Sequence, residues 1–337
     1  MLEISQQVEE RRGCRPEAIA PEILDSSVPL VLRGLVDSWP LVQKAKQSAG
    51  DSIDYLSQFD SGVPLTVFTS PAENKGRVFY NQDYSGFNFA NQKADLSQVF
   101  AQLIEHSDNS QAPMVYVGST NIDHWLPGFR KNNDLALSEH KPVVSIWLGN
   151  RSRIAAHYDF PTNIACCGAG RRRVTLFPPG QLENLYVGPV DFTPAGQPIS
   201  LVDFAEPDYH RFPRFRDALK SAMVVELEPG DALLIPSMWW HHIEALESFN
   251  VLVNYWWRNS PAYMGPPLNV LQHAIMGLRD LPQEQRAVWQ QLFDYYVFNP
   301  QDQAFEHIPE QVRGVLNPID EASAQQIRSM LLNKFKQ

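Results

Sequence analysis

His157 and Asp159 stand two positions apart in the apolar run IAAHYDFPTN, residues 154–163. In a strand, residues i and i+2 point to the same face. The two side chains therefore project together, with Tyr158 on the opposite side. Burying a charge in such a run is costly unless it is paired or bound to a metal. Two chemistries meet that demand: a hydrogen-bonded His–Asp pair at a sheet edge, or two ligands of one metal ion.

A third ligand shifts the balance toward metal. The stretch EPGDALLIPSMWWHHIEAL, residues 228–246, reads as a turn at Pro229-Gly230, a strand, and bulky aromatics leading into His241 and His242. Two histidines and one carboxylate on neighbouring strands form a facial triad. Such a triad takes one face of an octahedral iron(II) and leaves the other open to oxygen and substrate. Zinc more often draws a tetrahedral His-rich or Cys-containing set. One member of the histidine pair, His242 in this reading, packs in the aromatic cluster beside Trp239 and Trp240.

These side chains need strands to carry them, and residues 111–260 supply the pattern. Short β-rich runs such as APMVYVGST, KPVVSIWLGN, NIACCGAG, RRVTLFPPG and FNVLVNYWWR are separated by GN, GAG, PPG and EPGD turns, which predicts a sandwich or barrel. Alternation places Asn254 and Trp256 on one face, opposite Val253 and Tyr255. It also places Arg172, Val174 and Leu176 on one face, with Arg171 and Arg173 off it; the competing reading is a solvated basic turn after GAG. Residues 188–216, rich in Pro and Asp, read as a long surface excursion of the kind that covers a site. Residues 1–110 mix short helices and strands. Residues 261–337 return to helix, with Pro282 opening one helix and Asp320 capping another. Their apolar faces, carrying Trp289, Leu292, Phe293 and Tyr296 and then Ala324, Ile327 and Leu331, must be buried against this chain or a second copy.

Composition narrows the classes. The 337 residues are 44% hydrophobic and 20% charged, ordinary for a globular protein. A net charge of −10 argues against bulk attraction to nucleic acid or anionic membrane. Three cysteines, Cys14, Cys166 and Cys167, make neither a disulfide framework nor a CxxC zinc pair and suit a reducing compartment. A charged start without an apolar core, and no run of membrane-spanning length, give the expectation of a cytoplasmic protein without a leader.

The segments HYD…N, RRRVTLFPPGQLENLY, DYHRFPRF, EPGDALLIPSMWWHHIEAL and VLVNYWW resemble the JmjC (cupin-like) hydroxylases, over roughly residues 110–260, with a weaker echo in PLVLRGLVDSWP. The likeness is to the asparaginyl hydroxylase of the hypoxia response and its bacterial relatives. It implies a mainly β fold with flanking helices around a double-stranded β-helix (jelly-roll) core. It further implies Fe(II), 2-oxoglutarate and O2, with 2-oxoglutarate decarboxylated to succinate as a second substrate is hydroxylated or demethylated. By the same resemblance His157, Asp159 and His241 match the iron ligands. Tyr116, Asn163, Asn254 and Trp256 match the 2-oxoglutarate pocket, and Arg172 takes the position of a lysine that holds the distal carboxylate. Ile154 departs from the family pattern, where a threonine hydrogen-bonds the co-substrate. A protein or peptide side chain is the substrate expected, and related hydroxylases dimerise through C-terminal helices. The competing readings are a catalytically silent cupin-like metal-binding module, and a metal-dependent isomerase or dioxygenase acting on a small molecule.

Overall fold

Runs of β-branched and aromatic residues, punctuated by Gly and Pro, build two facing sheets in this computed structural model, which describes residues 2–194, 196–299 and 305–336. In chain order the strands are β1 (Gln6–Gln7), β2 (Glu9–Arg12), β3 (Leu30–Arg33), β4 (Leu65–Ser70), β5 (Arg77–Val78), β6 (Ala90–Ala94), β7 (Met114–Asn121) and β8 (Val143–Gly149). There follow β9 (Ser152–Tyr158), β10 (Thr162–Ala169), β11 (Arg172–Phe177), β12 (Met223–Leu227), β13 (Ala232–Ile235), β14 (Trp240–Ala245) and β15 (Asn250–Trp257). The minor sheet has the order β1-β12-β11-β14-β9-β5 and the major sheet the order β2-β3-β13-β10-β15-β8-β7-β4-β6. From β8 to β15 the chain passes back and forth between the two sheets, which is the jelly-roll winding of a double-stranded β-helix.

Alternation sorts the side chains of the major sheet. Val144, Ile146, Leu148, Ile164, Cys166, Leu234, Val251, Val253 and Tyr255 face outward into the largest core. That core is closed by the helices Pro40–Ala45, Ala49–Ser57 and Leu96–Glu105. Ser48 caps the second by accepting from the Asp51 N–H at 3.0 Å, and Asp95 and Gln98 form a capping box on the third. On the inner side, Cys167, Val174, Leu176, Leu233 and Ile235 fill the space between the sheets.

The excursion after residue 188 is less superficial than its composition suggests. Val202, Phe204 and Phe212 are buried with Phe177 and Trp240 against the outer face of the minor sheet. Asp203 pairs with Arg153 at 2.7 Å and with Arg77 at 3.4 Å. Bridges from Ile199 to His157 and from Ser200 to Val187 fix its path. Apolar residues scattered among Pro and Asp carry no periodicity, so this packing had no sequence signature.

The chain divides into two compact units, Met1–Asn259 and Ser260–Gln337. The second holds the helices Pro267–Leu278, Gln283–Phe293 and Glu321–Phe335. Asp320 caps the last, accepting from the Ser323 N–H at 2.8 Å. The first of the three was not read from sequence. Among the unit's described residues Ala324 alone is buried, whereas Trp289, Leu292, Tyr296 and Leu331 are exposed. No helix among the described residues is long and apolar enough to cross a membrane.

Candidate metal centre

β9 and β14 pair antiparallel, with His157 directly opposite His241 and Ile154 opposite Ile243. Three residues of β9 thus span two of β14, a bulge at Ala155-Ala156 that turns both Ile154 and His157 toward the interior. Asp159 lies just past the end of β9. Its backbone C=O accepts from the Met238 N–H at 2.8 Å, and the Ser237 hydroxyl donates to the Phe160 C=O at 2.6 Å. Met238 holds φ 67°, an unusual value for a non-glycine residue. The turn before β14 is thereby tied to the segment carrying Asp159.

The result is a cluster. Ligand atoms of His157, Asp159 and His241 all lie within 4.8 Å of one another. The two imidazole centroids are 4.3 Å apart, and His241 Nε2 is 3.7 Å from Asp159 Oδ2. Each Nδ1 meets a backbone carbonyl, Ala155 O at 2.9 Å for His157 and Trp239 O at 3.0 Å for His241. A carbonyl only accepts, so each Nδ1 carries the proton and each Nε2 presents a lone pair. Burial, helped by the neighbouring His157 ring, pushes the His241 imidazole down to about 4. Two imidazole nitrogens and one carboxylate oxygen suit a divalent transition metal of the iron type, and the residues fit the ion.

His242 points the other way. It is buried on the outer face of the minor sheet, stacked on Phe204 with centroids 4.6 Å apart. Burial and nearby Arg153 push its pKa down to about 3. Tyr158 shares that outer face, edge-on to Trp240 at 4.9 Å. Strand alternation sends it away from His157, as the i, i+2 spacing of His157 and Asp159 requires.

The three consecutive arginines part company. Arg171 pairs with Glu247 and Arg173 with Glu226, both at 2.7 Å on the surface. Such pairs are worth at most about 1 kcal/mol. Arg172 sits opposite Ala245, on the same face as Leu176 opposite His241, and is 3% exposed. No carboxylate among the described residues pairs with it, and its Nε is buried without a hydrogen-bond partner. Burial lowers its pKa, and the ionisable groups nearest it, the Cys167 thiol and the Tyr116 phenol, are both neutral. The turn into β11 needs Gly170 at φ +68°, where a Cβ would strike Asn250 Oδ1 and the Phe249 carbonyl.

The remaining predicted residues line the inner face of the major sheet. Asn254 Nδ2 donates to Asn163 Oδ1 at 2.8 Å, leaving Asn254 Oδ1 buried and unpaired. Trp256 lies opposite Asn163 across β10 and β15, and its indole nitrogen is also buried and unpaired. Tyr116 is buried on the inner face of β7, its phenol pushed well up by burial. One inner residue escaped the sequence reading. Trp147 contacts Tyr116 and Trp256, with centroids 6.0 and 5.8 Å away; the alternation of KPVVSIWLGN, with Ser145 and Trp147 opposite Val144, Ile146 and Leu148, held that signal.

Comparison with known proteins agrees with this architecture. Residues 16–263 match a family model described as a cupin-like domain. The tRNA wybutosine-synthesizing protein 5 of Gallus gallus is 30% identical over 311 residues, covering 83% of this chain and 91% of that protein. Lysine-specific demethylase 8 of Xenopus tropicalis is 25% identical over 240 residues, covering 68% of this chain and 48% of that protein. Lysine-specific demethylase JMJ31 of Arabidopsis thaliana is 30% identical over 118 residues, 35% of this chain and 21% of that protein. The chain thus spans half or less of the two demethylases and nine-tenths of the tRNA-modifying protein's length.

Proposed function

The chain belongs to the cupin-like (JmjC) family, and we propose that it is an iron(II)- and 2-oxoglutarate-dependent oxygenase. One observation carries this reading: a buried arginine without a counter-ion shares an interior face with a His–Asp–His cluster. An uncompensated buried guanidinium is costly, and a carboxylate satisfies it with a two-pronged hydrogen bond. An elongated dicarboxylate with one end on Arg172 and the other at the metal fits both demands.

His157, Asp159 and His241 would hold the metal. Bound there with 2-oxoglutarate and O2, iron supplies C–H oxidation of a second substrate coupled to decarboxylation of 2-oxoglutarate to succinate. The protein's own work is placement. Asn163, Asn254 and Trp256, with Tyr116, would offer polar groups to the co-substrate from the inner face of the major sheet.

For the second substrate we favour a protein or peptide side chain, as relatives named lysine-specific demethylases suggest. RNA is the second reading, favoured by the relative named for tRNA modification, matched over most of its length. The net charge of −10 weighs against RNA. Succinate formation from 2-oxoglutarate with Fe(II) tests the activity, and its stimulation by peptide pools or by tRNA separates the substrates. Absence of both 2-oxoglutarate binding and succinate would leave the silent metal-binding module.

The exposed apolar side chains of residues 260–337 support a homodimer formed through these helices. Sedimentation of the full chain against one ending at Asn259 tests it, and identical monomers would remove the idea. The composition favours a cytoplasmic location; fractionation of expressing cells tests that.

A further inference from the structure

Trp147 carries a polar group that nothing in the protein uses. Strand β8 sends Val144, Ile146 and Leu148 outward into the core and Trp147 inward, among Tyr116, Val78 and Ile154. Its indole Nε1 is buried and has no hydrogen-bond partner. An indole N–H is a donor only, and buried ones ordinarily find an acceptor. Ile154 is apolar, Trp256 brings a second unpaired indole N–H, and the Tyr116 hydroxyl, though able to accept, makes no hydrogen bond to it. The ring is fixed in place, tilted 30° to Tyr116 on one side and edge-on to Trp256 at 81° on the other. Ile154, packed with Trp147, lies in one row with Ile243 and Val174 across β9, β14 and β11, and Arg172 is the next residue of β11 on that inner face. Arg172 Nε and the two indole N–H groups are thus buried donors without acceptors, and no carboxylate among the described residues pairs with Arg172. The missing partner is rich in acceptors and anionic.

We propose that Trp147 is a specificity-determining residue whose indole N–H hydrogen-bonds the distal carboxylate of 2-oxoglutarate beside Arg172. The role rests on the proposed function and goes beyond it. It assigns the carboxylate a second donor, from the major sheet, where Ile154 on the minor sheet can give none.

The test uses the full-length, Mn(II)-loaded protein and two probes. N-oxalylglycine carries both ends of 2-oxoglutarate; oxalate carries only the metal-binding end. Calorimetric titration of Trp147→Phe should show N-oxalylglycine weakened about tenfold or more, the range for a lost hydrogen bond to a charged group. Oxalate affinity should stay unchanged, which also reports an intact chamber. In the unaltered protein the Trp147 indole ¹H–¹⁵N resonance should move with N-oxalylglycine and hold still with oxalate. Unchanged N-oxalylglycine affinity in the variant, or an unmoved resonance at saturation, overturns the role of Trp147. Failure of the unaltered protein to bind either probe overturns the oxygenase reading itself, and the Trp147 role with it.

Discussion

His157 and His241 face each other as a directly paired couple on β9 and β14, their rings 4.3 Å apart. The buried His241 imidazole and the half-buried His157 imidazole would repel if both were protonated. Backbone carbonyls hold both Nδ1 protons and aim both lone pairs at Asp159. Substituting His157 or Asp159 by Ala should weaken Fe(II) binding by more than the roughly 10- to 100-fold typical of losing an outer-shell partner. Metal content after dialysis checks this; retained stoichiometric iron would mean other residues bind it.

Arg172→Met should separate binding from stability. The variant removes a buried charge that has no partner, so the apo protein should be as stable as the original or gain about 1–3 kcal/mol. Its 2-oxoglutarate affinity should collapse. Urea unfolding and calorimetry measure the two effects, and a large loss of stability would show that Arg172 is a structural residue.

Asp203 sits between two cations, Arg77 and Arg153. Burial raises its pKa, but the two guanidinium groups outweigh that and hold it below the usual carboxylate value. Asp203→Asn strands both arginines. A fully buried pair broken this way costs about 3–5 kcal/mol; with its side chain 27% exposed, about 1–3 kcal/mol is expected. Arg153 lies on the strand that carries His157, so weaker metal retention should accompany the lower urea midpoint. An unchanged midpoint would show that the tether contributes nothing.

The two buried thiols should be inert. Burial pushes Cys167 up to about 12 and Cys166 well above its ordinary value. At pH 8 a thiol reagent should find at most Cys14 in the native protein and all three cysteines once unfolded. The sign for stability follows from the same shifts. Above about 8.5 an unfolded chain gives up thiol protons that the fold retains. Stability should therefore fall as pH rises from about 8.5 toward 12, by about 1.4 kcal/mol per pH unit for each proton. A flat profile over that range would contradict the burial of these thiols.

The sequence displayed the ligand triad, the jelly-roll strands and the separate face of Arg172, because each follows from alternation or a long ordered motif. Three features lay outside its reach. The bulge at Ala155-Ala156 is a property of pairing between strands, invisible in one strand alone, yet it brings Ile154 to the metal's side. Strand β2 is the fully exposed EERR, held at the edge of the major sheet by β3 rather than by any apolar pattern. The inward face of Trp147 is written in the alternation of KPVVSIWLGN, but its buried, unpaired indole nitrogen is visible only in the fold.

In the proposed enzyme one interior holds a metal at one end and a dicarboxylate at the other. Calorimetric titration of 2-oxoglutarate into the Fe(II)-loaded protein without oxygen tests it directly. Saturable one-to-one binding, lost in His157→Ala and severely weakened in Arg172→Met, is the predicted result. No binding to the iron-loaded protein, or binding indifferent to both substitutions, would contradict it.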